Sequence, residues 1–371
     1  MTRLRLLCSA CLFAFSVAGA AHAQILIGQT AGITGPVASS VNETIAGAQL
    51  VIDAANAQGG VNGELIEVVR LDDGFDVTRA GENARVLIED KKVVSLFLTR
   101  GTPHAQAIIP WLDKHGVALI APSTGAMVLH KPVQKHVFNV RSSYQRESEK
   151  AVQHLTTVGM ERIAVVHVTD SFGADALEGA MTGFKKSGKQ PAALVPADRA
   201  KPDYAAIVPK IVAANAQAVI WIGSGSAVVD GIKALRAAGS AAQVVTLSNN
   251  ASSGFIKQLG SQSAGVIVTQ VFPYERAYGN GMIREALALA KAKGQAELSP
   301  ALLEGYAAGK VLVEALRRAG PKPTRAKVLA TLDNLRGYDM GGGMEVSYSP
   351  QDHSGIDFAD LSIISDGRFK R

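Results

Sequence analysis

Short apolar runs alternate with amphipathic helical stretches from Gln24 almost to the C-terminus. This alternation restricts the chain to parallel sheets covered by helices on both faces. Gln24 to Thr30, Leu65 to Leu71, Val93 to Leu98, Val117 to Ala121 and Val137 to Val140 read as strands. Helices are expected over Asn42 to Gln58, over Thr78 to Lys91 and after Pro103. A polar break, Arg141-Ser-Ser-Tyr-Gln, precedes a second series with strands at Arg162 to Val168, Ala192 to Val195, Ala218 to Ile222, Val244 to Leu247 and Gly265 to Val271. Beyond Phe272 the pattern is helical: Gly281 to Lys293, Pro300 to Ala319 and Thr324 to Leu335. It closes with a strand, Phe358 to Ser365, and a tight turn at Asp366-Gly367. The two series share a layout but no residue-by-residue repeat.

Within the first series, Thr99 to Ala126 carries the densest chemistry. One buried strand ends in Arg100-Gly-Thr102-Pro103, and the next ends in Pro122-Ser123-Thr124-Gly125. Two neighbouring strand ends thus offer hydroxyls and backbone N–H groups to one crevice, the usual ligand position in an open α/β sheet. Such N–H groups favour an anion such as a carboxylate. Thr102 and Ser123 serve equally well as ordinary helix N-caps. Arg100 is either a charge partner for the anion or a solvent-facing side chain.

The first 23 residues read as a secretory signal peptide. A basic start (Arg3, Arg5) precedes an apolar stretch and the small-residue site Ala21-His22-Ala23. Both cysteines, Cys8 and Cys11, fall inside it, so the exported chain is expected to carry neither disulfide nor reactive thiol. The remaining 348 residues exceed what one core usually supports, which predicts two domains. The basic residues are scattered, which argues against nucleic acid as a partner.

Catalytic equipment is not found. Gly223-Ser-Gly225-Ser-Ala-Val228 lacks the third glycine of a dinucleotide fingerprint. No histidine pair has metal-ligand spacing. Asp72-Asp73 suits turn formation better than acid–base work, because adjacent strand-end residues point to opposite faces. A binding protein, not an enzyme, is the expectation, with no cofactor.

The chain resembles the periplasmic solute-binding proteins of ABC transporters, leucine/isoleucine/valine-binding subgroup. The likeness is carried by Gly32-Ile-Thr-Gly35-Pro36, Ala54-Ala-Asn-Ala-Gln-Gly59-Gly-Val-Asn-Gly63 and Asp72-Asp73. It continues through Gly116 to Gly125, Asp170-Ser-Phe172-Gly173, Ala237-Ala-Gly239 and Glu304-Gly-Tyr306. The resemblance implies an α/β fold of two Rossmann-like lobes (periplasmic binding protein type I), joined by three crossings around a central cleft. Lobe I would be residues 24–141 plus 272–347, and lobe II 142–271 plus 348–371. The function implied is capture of an amino acid, or of another organic or aromatic acid, by lobe closure. Delivery would be to an ABC-transporter permease or, alternatively, to a membrane receptor that senses the solute. A periplasmic monomer is expected.

On the family pattern, Thr102 and the loop Ser123-Thr124-Gly125 would hold the carboxylate, and Phe172 would close over the apolar part. Ser248, beside Asn249, stands where amino-acid binders place an acid for the ligand ammonium. Family aromatics fall near Ser40 and near Ser224–Gly225, which would leave room for a larger or flatter solute. The disulfide that some members carry would need cysteines near Phe75 and Gly101, and both are missing. An ammonium buried without a carboxylate is costly. Another acid must therefore enter the cleft, or the solute lacks an α-ammonium.

Overall fold

The computed structural model describes residues 24–371; the expected signal peptide lies outside the described residues. In chain order the elements are β1 (Gln24–Ala31), α1 (Ala38–Ala57), β2 (Leu65–Asp72), α2 (Val77–Arg85), β3 (Ser95–Phe97), α3 (Thr102–His115), β4 (Ala118–Ile120), β5 (Val137–Phe138) and α4 (Tyr144–Thr157). Then come β6 (Ile163–Val168), α5 (Ser171–Ser187), β7 (Ala193–Ala197), α6 (Tyr204–Ala213), β8 (Ala218–Ile222), α7 (Ser226–Ala237), β9 (Gln243–Thr246), α8 (Ser253–Leu259) and β10 (Ile267–Gln270). The chain ends with α9 (Gly281–Ala292), α10 (Pro300–Ala319), α11 (Arg325–Asp333), a two-strand ribbon β11 (Tyr338–Asp339) and β12 (Glu345–Val346), then β13 (Asp360–Ser365) and β14 (Arg368–Lys370). Among these residues no helix is long and apolar enough to cross a membrane.

Two sheets result, one per lobe. The first is parallel, in the order β2-β1-β3-β4-β5. The second runs β14-β13-β10-β9-β8-β6-β7, parallel from β10 to β7, with the C-terminal hairpin antiparallel at one edge. Asp366 and Gly367 both have positive φ, as a two-residue hairpin turn of this twist requires. Helices α9 to α11 return to the first sheet, where Met282, Leu302 and Val328 join Ile25 and Ile27 in one core. The chain therefore passes between the sheets three times. The last passage follows Ile356 and does not lie at 347: Tyr348 and Ile356 belong to the first core, and His353 stacks on Phe138 with centroids 4.0 Å apart. The apolar contacts available to these residues on the first lobe account for the later crossing.

Helices α1 and α10 touch through backbone. A Cβ on Gly47 would stand 1.9 Å from the Leu302 carbonyl oxygen, and one on Gly305 would stand 1.7 Å from that of Thr44. Neither neighbour is a flexible side-chain end, so the helices must part. Gly305→Ala should destabilise the protein by about 1–3 kcal/mol, the usual cost of overpacking. Chemical denaturation of the variant checks this; an unchanged midpoint would show that the two helices can separate freely.

Strands β3 and β4 are shorter than the apolar runs that encode them. Leu98 and Ala121, just past each strand, have φ of 56° and 52°. For non-glycine residues this left-handed backbone costs on the order of 1–3 kcal/mol and tends to accumulate at functional positions. Just beyond Leu98 and Ala121 the two chain segments pair once more, through a parallel bridge between Arg100 and Ser123.

Candidate functional site

Thr102 does not cap α3. Gly101, with φ of 98°, holds the cap position without a side-chain bond, and Thr102 is the first helical residue. Its buried hydroxyl lies 2.7 Å from that of Thr124. Ser123 does not cap a helix either: its hydroxyl donates to Glu304 Oε1 at 2.6 Å and accepts from Arg100 Nη1 at 2.8 Å. The expected free N–H groups are partly taken, since Ser123 N donates to the Thr99 carbonyl and Thr124 N to that of Pro122. At Gly125 a Cβ would meet the Ser142 carbonyl oxygen at 2.4 Å, so glycine lets the loop pack on the crossing segment.

Arg100 does not face solvent. It is 4% exposed, and its Nη2 reaches the Asn249 carbonyl at 2.5 Å and the Ser40 hydroxyl at 3.4 Å. All its hydrogen-bond acceptors are neutral. The carboxylate closest in the network, Glu304, connects to it through the Ser123 hydroxyl. Arg100 thus bridges the lobes, with its guanidinium beside Ser40.

Two acids that sequence reasoning did not assign to the site lie beside this bridge. Arg141, in the first crossing, is 2% exposed; its Nη2 donates to Glu147 Oε1 and, at 2.5 Å, to the Ser248 hydroxyl. Its Nη1 stands 3.6 Å from Glu304 Oε2. The fully buried Glu147 accepts further bonds from Ser248 N at 2.9 Å and from the Thr269 hydroxyl. Burial alone would lower the Arg141 pKa, but Glu304 and Glu147 outweigh it, and the guanidinium is held charged. So acids do enter the cleft, and both are engaged by Arg141. The Glu304-Gly-Tyr306 motif was a signal for one of them. Glu147, in an ordinary polar helix start, gave none.

Across the cleft, Phe172 is buried behind its Asp170 cap and meets Tyr144 edge-to-face at 4.7 Å. The Arg199 guanidinium carbon lies 5.3 Å from the Phe75 ring centre and 5.5 Å from that of Phe172. Asn249 Nδ2 donates to the Ser224 hydroxyl at 3.1 Å and the Gly223 carbonyl at 2.9 Å, while its Oδ1 is buried without a partner. Gly225 leaves no vacancy. With φ of 56°, its Cβ would stand 1.9 Å from the Pro36 carbonyl oxygen, which accepts from Ser226 N at 3.0 Å. Ser224 does border open space, a cavity of about 460 Å³ walled by both lobes.

The clamp is shut. Besides the Pro36 contact, the Glu43 carboxylate of α1 accepts from Ser253 N at 3.0 Å and Gly254 N at 2.8 Å, at the start of α8, and from Ser299 Oγ at 2.5 Å. Charge-assisted bonds of this kind are roughly twice as strong as neutral ones. Glu43→Gln should therefore favour the open form and weaken solute binding about fivefold. Small-angle scattering of the ligand-free variant should show a larger radius; an identical radius and affinity would remove Glu43 from the closure.

Asp72 and Asp73 build the turn that carries Phe75. Asp72 accepts from Thr34 N, Thr34 Oγ1 and Gly74 N; buried Asp73 accepts from Thr30 Oγ1 and Phe75 N. Burial pushes Asp73 and Asp175 up to about 6 and Glu275 up to about 7. These groups keep protons that the unfolded chain has lost, so their contribution to stability falls as pH rises from about 4 to 7. His104 and His130, lowered to about 4 by burial, act oppositely: the unfolded chain binds protons that they refuse, so stability falls as pH drops below about 6.5. The two sets should roughly cancel between pH 7 and 5. His104→Gln should tip the balance, so that stability climbs on acidification through this range. Denaturation midpoints at several pH values test it, and a profile parallel to wild type would contradict it.

Among the described residues no cluster of three or more histidine, cysteine or acidic side chains could hold a metal ion. The profile of the periplasmic binding protein family matches residues 24–362. A Leu/Ile/Val/Thr-binding protein of Salmonella typhimurium is 25% identical over 318 residues, 84% of this chain and 86% of the relative. A substrate-binding periplasmic protein from Ralstonia solanacearum superposes with a TM-score of 0.84 at 32% identity, covering 91% of this chain and 97% of that one. A possible leucine/isoleucine/valine-binding protein from Rhodopirellula baltica shares the fold, with a TM-score of 0.87 at 23% identity over 94% and 96% of the two chains. With its two α/β lobes shut over a cleft, the chain belongs to the periplasmic binding protein family.

Proposed function

We propose that this protein is the periplasmic solute-binding component of an ABC importer. It captures a small carboxylate-bearing solute, an amino acid or another organic acid, and delivers it to a membrane permease. The observation that carries the reading is Arg100, a buried guanidinium whose direct partners are all neutral and which spans the two lobes. A buried cation in that state is costly, and a solute carboxylate is the counter-charge it lacks. Ser123 and the Thr102–Thr124 hydroxyl pair follow the same two strand ends and would share the carboxylate oxygens. The gap beside Arg100, lined by first-lobe residues, is only about 10 Å³, too small for a carboxylate, so the solute would enter as the lobes part and Arg100 leaves the Asn249 carbonyl. Closure then follows from tighter binding to the shut form. The relatives named as amino-acid binders support the amino-acid class.

Glu147 and Glu304, the two acids beside Ser248 and Ser123, both face the Arg141 guanidinium. Recognition therefore centres on the carboxylate. Calorimetry with 4-methylpentanoate and 4-methylpentanamide tests this: the acid should bind and the amide should not. Equal affinities, or preference for the amide, would overturn the reading.

A further inference from the structure

We propose that the cavity between Phe75 and Trp221 is an outer subsite of the clamp. It takes an aromatic body of the solute, with Arg199 donating to a neutral acceptor on it. The proposal rests on the inner anchor at Arg100 and extends it.

The shut clamp keeps about 460 Å³ at this place, in the range of small-ligand pockets, and about 10 Å³ beside Arg100. Phe75 walls the cavity from the first lobe; Tyr204 and Trp221 wall it from the second. Rings on facing walls suit a flat apolar group. Arg199 also borders it. Its Nε donates to Asp170, its plane lies near the rings of Phe75 and Phe172, and its Nη2 is buried without a hydrogen-bond partner. A buried unused donor is costly, and a turn of the guanidinium toward the cavity would give it an acceptor on the solute.

That acceptor should be neutral. Asp170, Asp76, Asp198 and Asp230 lie at or around the cavity and would repel a second carboxylate. Asp76 and Asp198 are turned to backbone amides, of Arg79 in the first case and of Ala200 and Lys201 in the second. A hydroxyl or carbonyl on the ring meets Arg199 without that repulsion. Asn249 links the two parts of the site: its carbonyl accepts from Arg100 and its amide donates to Ser224 on the cavity wall. A solute anchored at Arg100 would pass Asn249 to reach the cavity.

The test uses three probes by calorimetry on the mature protein: 4-methylpentanoate, 3-phenylpropanoate and 3-(4-hydroxyphenyl)propanoate. A Trp111→Phe background leaves Trp221 as the one tryptophan. The ring acids should bind about tenfold tighter than 4-methylpentanoate and should shift the Trp221 emission. The hydroxyl should add a gain that Arg199→Met removes. Ala227→Phe, at a half-buried wall position, should erase the ring preference and leave 4-methylpentanoate unchanged. Ligand-free melting curves show whether each variant is folded. If Ala227→Phe is not, Arg199→Met and the Trp221 emission decide. Equal affinity for the three acids would overturn the subsite and leave the inner anchor standing. So would a ring preference that survives both variants with silent Trp221 emission. Failure of every acid to bind the unaltered protein would overturn the inner anchor, and the subsite with it.

Discussion

Arg100→Met should abolish capture of carboxylates, weakening them at least a hundredfold, while the ligand-free protein melts no lower than wild type. The two halves have one cause. In the shut clamp the guanidinium is desolvated, and its direct hydrogen-bond partners are the hydroxyls of Ser123 and Ser40 and the carbonyl of Asn249. Replacing such a charge by an apolar side chain of similar length is often neutral or stabilising. Bound solute reverses the sign, because hydrogen bonds between charged partners contribute about 1.5–3 kcal/mol each and a carboxylate can accept two from one guanidinium. Calorimetry and a ligand-free melting curve check both halves. A variant that melts lower yet binds normally would make Arg100 a structural strut.

Glu147→Ala should have the opposite profile, with a large loss of stability in the absence of any solute. This carboxylate accepts from Arg141, Ser248 N and Thr269, and it is fully buried. Its removal strands Arg141 with one remaining acid, Glu304 at 3.6 Å, and leaves Ser248 N and Thr269 without their acceptor. Breaking a buried ion pair by deleting one partner costs about 3–5 kcal/mol. Denaturant unfolding measures it. A loss below 1 kcal/mol would mean that water enters the crossing and replaces Glu147.

The contrast between these two arginines shows what a one-dimensional pattern can carry. Strand and helix periodicity, and the polar break at Arg141, were legible because each depends on residues a few positions apart. The alternation therefore predicted both lobes, and its element boundaries shifted by only a few residues. The site depends on distant pairs. Arg100 bonds residues 23, 60 and 149 positions away, and Glu147 reaches Thr269, 122 positions on. No local spacing encodes those distances, so Arg100 could be read as solvent-facing and Glu147 passed unnoticed. The capping reading of Thr102 failed for a related reason: its partner is Thr124, on the next loop. Gly225 misled in another way. A small residue suggested a vacancy, but its positive φ and the Pro36 carbonyl show a contact that only glycine permits. Arg199 and Phe75 sit on turns whose cooperation appears only once the lobes face each other.

The most direct measurement is the mass spectrum of whatever small molecule leaves the protein when it is purified natively from the periplasm and then denatured. The predicted result is a carboxylic acid, present with the wild-type protein and absent with Arg100→Met. A neutral or cationic solute, retained equally by both proteins, would contradict the central claim that a solute carboxylate is the charge this clamp closes on.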